Sequence, residues 1–190
     1  YEEFLTFYDP ALRKSLGVFY TPVQAVQYLI SAVDRALVDD FGIEGGLSNN
    51  EQITTKVPCA PYKVTKTKWA DEITISVPRV AILDPACGTG SFGAEIIKYI
   101  KKTYFSGARS AFYENYIQQE NGLLSRLIGF EIMMTSYVVA HLKIRRTIDE
   151  TLGHLPTTQL PTNIFLTNTL TPPMSDLERG EQLTLFDFSA

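Results

Sequence analysis

The most restrictive feature of the chain is a nine-residue string, Asp84-Pro85-Ala86-Cys87-Gly88-Thr89-Gly90-Ser91-Phe92, directly after the apolar run Val80-Ala81-Ile82-Leu83. A short, continuous apolar run is the pattern of a strand buried on both faces. Beyond the string, Ile96, Ile97 and Ile100 recur at helical spacing and predict a helix over residues 93–104. Glycine and other small residues let the backbone turn tightly and let a ligand approach with no Cβ in the way. The free amides of the next helix then face that ligand.

The alternation continues downstream. Leu127-Ile128-Gly129-Phe130 reads as a second strand closed by Glu131, and residues 133–152 as a long helix. Met134, Tyr137, Val138, His141, Ile144 and Ile148 are expected on its inner face. Asn163-Ile164-Phe165-Leu166 is a third strand, ending at Thr167-Asn168-Thr169-Leu170. Strand, helix, strand, helix, strand means βαβ units, an α/β fold and a mostly parallel sheet. Ligands of such sheets bind at the carboxyl ends of the strands, near a topological switch point. Asp84, Glu131 and Asn168 all fall at or just past predicted strand ends.

Upstream, the aromatic-rich residues 1–20 end in Gly17-Val18-Phe19-Tyr20. Thr21 as N-cap and Pro22 as first helical residue open a helix whose apolar positions run from Val23 to Leu37 and which fades at Asp39–Gly42. Residues 42–79 read as loop with short strands at Val57–Tyr62 and Ile73–Val77, punctuated by Pro58, Pro61 and Pro78. Residues 105–125 suggest a helix with Phe112, Tyr116 and Ile117 inside, and the tail from Pro172 is loop. This divides the chain into a helical lead-in (1–41), an insertion (42–79) and an α/β core (80–190).

Composition narrows the function. With 45% hydrophobic and 20% charged residues, wholesale disorder is excluded. No apolar run reaches the roughly 20 residues of a membrane helix. Two cysteines, Cys59 and Cys87, make neither a disulfide framework nor a zinc cluster, which points to a reducing cytoplasm. No metal site is expected. The net charge of −4 is unlike that of a self-sufficient DNA-binding module, so any grip on DNA should come largely from elsewhere in a longer protein. Lys98, Lys101, Lys102, Arg145 and Arg146 read as solvated helix faces.

Gly88-Thr89-Gly90-Ser91-Phe92-Gly93 literally satisfies G-x-G-x-x-G, a dinucleotide fingerprint. Four residues separate the strand from its first glycine, and an anionic Asp84 suits an amine better than a pyrophosphate. A strand-end carboxylate such as Glu131 can accept hydrogen bonds from both ribose hydroxyls. The 43 residues between Gly88 and Glu131 exceed the usual offset by about the extra segment at 105–125. Asn168 could read an adenine edge, or simply form a turn. The helix start at Tyr20-Thr21-Pro22 could seat a carboxylate, or simply be well capped. Amine, carboxylate, ribose and adenine together describe S-adenosylmethionine. A tight ligand-free turn is the bland alternative for the glycine loop. Cys87 reads as core filler and His141 as a satisfied buried histidine.

These motifs resemble those of the amino-methylating DNA adenine-N6 methyltransferases of restriction–modification systems. Gly17 to Pro22 resembles their motif X, Asp84 to Phe92 their motif I, Gly129-Phe130-Glu131-Ile132 motif II, and Thr167-Asn168-Thr169-Leu170 motif III. Motif X before motif I is the gamma-group order, and the run from Gly129 to Lys143 looks most like Type ISP and Type IIG enzymes. The resemblance covers residues 1–171 and implies a Rossmann-like methyltransferase fold, here truncated, with S-adenosylmethionine as cofactor. It also implies double-stranded DNA as partner of the parent protein, with recognition and helicase or nuclease domains in the same polypeptide.

Carried over, the resemblance makes Tyr20, Thr21 and Pro22 the seat of the cofactor carboxylate and sets Asp84 opposite the methionine amine. Pro85, Ala86, Cys87, Gly88, Gly90, Ser91 and Phe92 form the wrapping loop. Glu131 holds the ribose, Ile132 packs on the adenine, and Asn168 and Thr169 lie along its edge. The family often has Asp where Asn168 stands. The family's acceptor motif, Asn/Asp-Pro-Pro-Tyr/Phe, which holds the flipped base, has no counterpart. Thr171-Pro172-Pro173-Met174 lacks both its amide and its aromatic ring. No catalytic residue is therefore assigned, and the acceptor motif is expected beyond Ala190. Rival readings are a nicotinamide-dependent dehydrogenase, a non-catalytic module that keeps the cofactor fold, and a methyltransferase acting on RNA, protein or a small molecule.

Overall fold

The computed structural model describes residues 21–58, 63–65, 68–69, 72–112, 116–117, 122–152 and 162–168. Expectations for Tyr20 and the lead-in before it, for Thr169 and for the tail from Pro172 lie outside these residues.

The first helix, α1, spans Val23–Asp39 and buries Val26, Ile30 and Asp34. It begins one residue later than expected. Pro22 has an extended ψ of 140° and is itself the cap; its carbonyl accepts from the amides of Ala25 (2.9 Å) and Val26 (3.1 Å). Proline disfavours helical geometry at the residue before it, which places Thr21 outside the helix. A 3₁₀ turn at Gly46–Ser48 follows.

The insertion is an antiparallel ribbon of β1 (Gln52–Pro58) and β4 (Glu72–Pro78). Two short strands, β2 (Lys63–Thr65) and β3 (Lys68–Trp69), pair at its far end. Of the strand expected at Val57–Tyr62, residues 59–62 lie outside the described residues, while Val57 and Pro58 close β1, which begins five residues earlier at Gln52. Its sequence, Gln-Ile-Thr-Thr-Lys-Val, alternates weakly, so period alone did not reveal it.

The core is a three-stranded parallel sheet in the order β5 (Ile82–Asp84), β6 (Leu127–Glu131), β7 (Asn163–Leu166). The first of these strands starts two residues later than the apolar run suggested. Two helices cross over between them, α2 (Ser91–Tyr104) and α5 (Met134–Leu152), and pack on each other. Short helices α3 (Arg109–Phe112) and α4 (Leu123–Arg126) lie between α2 and β6. Phe112, Tyr116 and Ile117 are buried as expected. Leu127, Gly129 and Glu131 of β6 are buried, whereas Ile128 and Phe130, on the other face, are half-buried. The architecture is therefore mixed α/β with a parallel sheet. Among the described residues no helix is long and apolar enough to cross a membrane.

The inner face of α5 differs from expectation. It buries Ser136, Ala140, Ile144, Thr147, Ile148 and Leu152, while Met134 and Val138 are 60% and 47% exposed. The reason is proximity. A Cβ added at Gly90 would stand 3.2 Å from both Cα and Cβ of Ala140, so only small side chains fit where α5 passes the glycine turn. Apolarity guided the expected face; size decided the real one.

Two buried polar groups stitch the insertion to the core. Asp34 Oδ1 accepts from the Leu47 amide at 2.7 Å, and its Oδ2 accepts from the hydroxyls of Tyr99 and Tyr104, both at 2.8 Å. Arg126, 1% exposed, donates to the carbonyls of Val80 (3.2 Å) and Leu47 (2.7 Å) and to the Tyr116 hydroxyl. Each buried charge thus holds several partners, as burial requires.

Candidate functional site

The carboxyl ends of the parallel strands gather the residues that the sequence singled out. Asp84 is the last residue of β5 and Glu131 the last of β6; Asn168 lies two residues past β7. The amide of Cys87 donates to the Phe130 carbonyl at 2.9 Å, which draws the glycine loop over the end of β6. The amide of Thr167 donates to the Glu131 carbonyl at 2.8 Å and keeps the segment leading to Asn168 beside it. Gly90 N–H closes the turn on the Cys87 carbonyl at 2.8 Å. The turn needs left-handed backbone at Gly88 (φ 55°) and Gly90 (φ 74°), a conformation that favours glycine.

The two carboxylates are differently served. Glu131 is 8% exposed and its Oε1 accepts from the Met133 amide at 2.7 Å. Asp84 Oδ1 accepts from the Ala86 amide at a long 3.3 Å, whereas its Oδ2 is buried with no partner among the described residues. Burial pushes the Asp84 pKa up; the Ala86 hydrogen bond opposes this and the neighbouring Glu131 charge adds to it. An unpaired buried acceptor beside a second carboxylate is a costly arrangement. A cation or a set of hydroxyl donors would relieve it.

Cys87 is buried, and its thiol is pushed up to about 12 by burial and by the charges of Asp84 and Glu131. Such a thiol is packing, not a nucleophile. A Cβ at Gly129 would sit 3.1 Å from its sulfur, so the two residues fit as a pair. His141 is only partly as expected: Nδ1 meets the Thr162 hydroxyl, but Nε2 is buried without a partner among the described residues.

The start of α1 lies at the same end of the molecule. Gln27 Nε2 donates to Glu95 Oε2 at 2.8 Å, linking the second turns of α1 and α2. Thr21 and Pro22 are exposed there, as are Pro85 and Ala86, with Ser91 and Phe92 half-buried. Ile132 is 64% exposed just past Glu131, an apolar surface without cover.

Lys143, which the sequence did not single out for a role, donates to Ser91 Oγ at 2.7 Å and pins α5 to the first residue of α2. Burial, then the nearby Lys98 charge, lowers its pKa, and Glu95 opposes that. Its spacing from Ala140 and Ser136 was the available signal, since all three sit on one side of α5. A cleft of about 400 Å³ between α1 and the outer edge of β5 touches the site only at Asp84, Pro85 and Phe92. It lies on the side of β5 away from Glu131, so it is not the strand-end site itself.

No protein-family description and no curated protein matches the sequence. Solved structures do. The DrdV–DNA complex is 26% identical, with a TM-score of 0.52 over 87% of this chain. The ATP-dependent Type ISP restriction-modification enzyme LlaBIII bound to DNA is 22% identical, with a TM-score of 0.54 over 96%. A nuclease-deletion mutant of the Type ISP restriction-modification enzyme LlaGI, in complex with a DNA substrate mimic, is 22% identical, with a TM-score of 0.53 over 97%. The fold is one found within restriction–modification enzymes. The chain spans only 12%, 11% and 13% of these three chains, respectively.

Proposed function

We propose that the strand-end site binds S-adenosylmethionine and that the chain is the cofactor-binding part of a gamma-group DNA adenine-N6 methyltransferase in a restriction–modification or defence enzyme. The observation that carries this reading is the buried Oδ2 of Asp84, without a partner among the described residues, beside Glu131 and a left-handed glycine turn at parallel strand ends. The residues fit the cofactor. Asp84 is set to accept from its ammonium group, and the turn at Gly88 and Gly90 leaves room for the methionyl chain. Glu131 is set to accept from the ribose hydroxyls, and exposed Ile132 and Asn168 to flank the adenine. The exposed start of α1 offers open amides for the carboxylate.

When bound, S-adenosylmethionine supplies an electrophilic sulfonium methyl. What the chain's own residues do is bind and orient. The Cys87–Phe130 and Gly90–Cys87 backbone bonds hold the loop rigid, and Lys143 on Ser91 fixes α2 against α5. The same Asp84 opposes a nicotinamide dinucleotide, whose pyrophosphate would meet an anion at the loop. The resemblance of residues 17–22, 84–92 and 129–132 to methyltransferase motifs favours adenine-N6 chemistry, with double-stranded DNA as substrate of the parent protein. Recognition and helicase or nuclease functions then belong to further domains of the same polypeptide.

Calorimetric titration of S-adenosylmethionine beside NADH fluorescence titration tests the reading. Saturable binding of the first and none of the second is expected; the reverse would restore the dehydrogenase. Appearance of N6-methyladenine in duplex DNA incubated with these 190 residues alone would overturn the assignment of the acceptor site to other sequence.

A further inference from the structure

Helix α5 meets the proposed cofactor site in two places. At its start, the Met133 amide donates to Glu131 Oε1 at 2.7 Å, and the Tyr137 amide donates to the Met133 carbonyl at 2.9 Å. The helix is thereby tied to the carboxylate proposed to take the ribose. Further along, Ala140 lies against Gly90, and Lys143 Nζ donates to Ser91 Oγ at 2.7 Å. Gly90 and Ser91 end the glycine turn and open α2. The Lys143–Ser91 bond closes a ring of contacts. It runs from Glu131 along α5 to Lys143, across to Ser91, through the glycine turn, and back by the Cys87 amide to the Phe130 carbonyl beside Glu131. The ring fixes the distance between the two ends of the site.

Lysine is poorly suited to mere packing at this position. Its side chain is half-buried, its partner is a neutral hydroxyl, and the Lys98 charge opposes its own. Ordering its four-carbon stem costs rotamer entropy. A cation at the start of a helix also runs against the helix dipole. An apolar side chain of similar length would pack there without these penalties. What the ammonium adds is direction. It can only donate, so Ser91 Oγ must accept, and the hydroxyl keeps its own proton for another acceptor. Gly90, the cap of α2, has no side chain to tie the first turn. The Lys143 bond holds that turn from α5 instead.

We propose that Lys143 is a positioning residue that acts through Ser91 and holds the methionyl half of the cofactor site in register with the ribose half. The inference rests on the S-adenosylmethionine reading and adds to it a residue that none of the four motif segments contains.

The test is calorimetric titration of the 190-residue chain with two ligands, each variant confirmed folded by its melting curve. One ligand is S-adenosylmethionine. The other is 5′-methylthioadenosine, which keeps adenine and ribose but has no amino-acid chain. Lys143→Met is expected to weaken S-adenosylmethionine by about 10-fold and 5′-methylthioadenosine by less than about 2-fold. Ser91→Ala should show the same pattern, and the double variant should lose no more than either alone, since both remove one bond. Lys143→Arg keeps a donor and should bind S-adenosylmethionine more tightly than Lys143→Met. Equal losses for the two ligands would reduce Lys143 to general packing and overturn the proposal. Additive losses in the double variant, or arginine no better than methionine, would overturn it as well. A wild type that binds S-adenosylmethionine but not 5′-methylthioadenosine at millimolar concentration would deny the two halves separate binding and count against it equally. S-adenosylmethionine bound alike by the wild type and every variant sinks the role of Lys143 alone; no binding by the folded wild type sinks the cofactor reading itself.

Discussion

Gly90→Ala tests the packing that holds the glycine turn. Two effects add. At φ 74° an L-residue is strained by about 1–2 kcal/mol. The new Cβ also falls 3.2 Å from Cα and Cβ of Ala140, inside ordinary contact, and overpacking of this kind costs about 1–3 kcal/mol. Gly107→Ala isolates the first effect, because its φ is 78° but nothing lies within 4 Å of the added Cβ. For a domain of this size each kcal/mol moves Tm by about 2–4 °C. Gly90→Ala should therefore lower Tm by about 4–20 °C and Gly107→Ala by about 2–8 °C, with Gly90→Ala the larger loss. Calorimetric melting of both measures the difference. Adding Ala140→Gly to Gly90→Ala should recover part of the loss as a positive coupling, against the roughly 1 kcal/mol that glycine costs in a helix. Equal Tm losses for the two glycine variants would refute the claim that α5 sits tight against the turn.

Asp84→Asn should raise the Tm of the ligand-free chain while weakening binding at the proposed S-adenosylmethionine site. The folded pKa of Asp84 is raised, so its ionisation destabilises the fold as pH climbs from the ordinary carboxylate range through that raised value. The Tm gain should thus be larger near about pH 7 than near about pH 4, and an equal gain at both would refute it. Arg126→Met should cost at least about 1–3 kcal/mol in urea unfolding, the cost of a buried polar group left unsatisfied, because the Leu47 and Val80 carbonyls and the Tyr116 hydroxyl all lose their donor. A loss under 1 kcal/mol would show that they find other partners. With Cys59 replaced by serine, Cys87 should alkylate about 10³-fold more slowly than a free thiol near pH 8, given a pKa near 12 and burial. Labelling at the free-thiol rate would contradict its role as packing.

The strand-end site was legible because its parts are local. A buried strand, a glycine turn and the following helix occupy consecutive residues, and β7 matches its expected span, Asn163–Leu166, residue for residue. The helix face of α5 was not legible, since apolar period points to Met134 and Val138 while the contact with Gly90 demands Ala140. Asp34 and Arg126 escaped for a different reason. Their partners stand far off in sequence, Tyr99 and Tyr104 for one and Leu47 and Val80 for the other, and no spacing announces them. The ribbon was half-seen, because Ile73–Val77 alternates and its partner strand does not.

The measurement that bears most directly on the central claim is calorimetric titration of S-adenosylmethionine into the wild-type chain, Asp84→Ala and Glu131→Ala, each confirmed folded by its melting curve. Hydrogen bonds to charged groups are worth about 1.5–3 kcal/mol, so each substitution should weaken binding by roughly 10- to 150-fold. Binding of the wild type with both variants weakened places the cofactor at the strand ends. Binding unaffected by either substitution, or no heat from the folded wild type, contradicts the account.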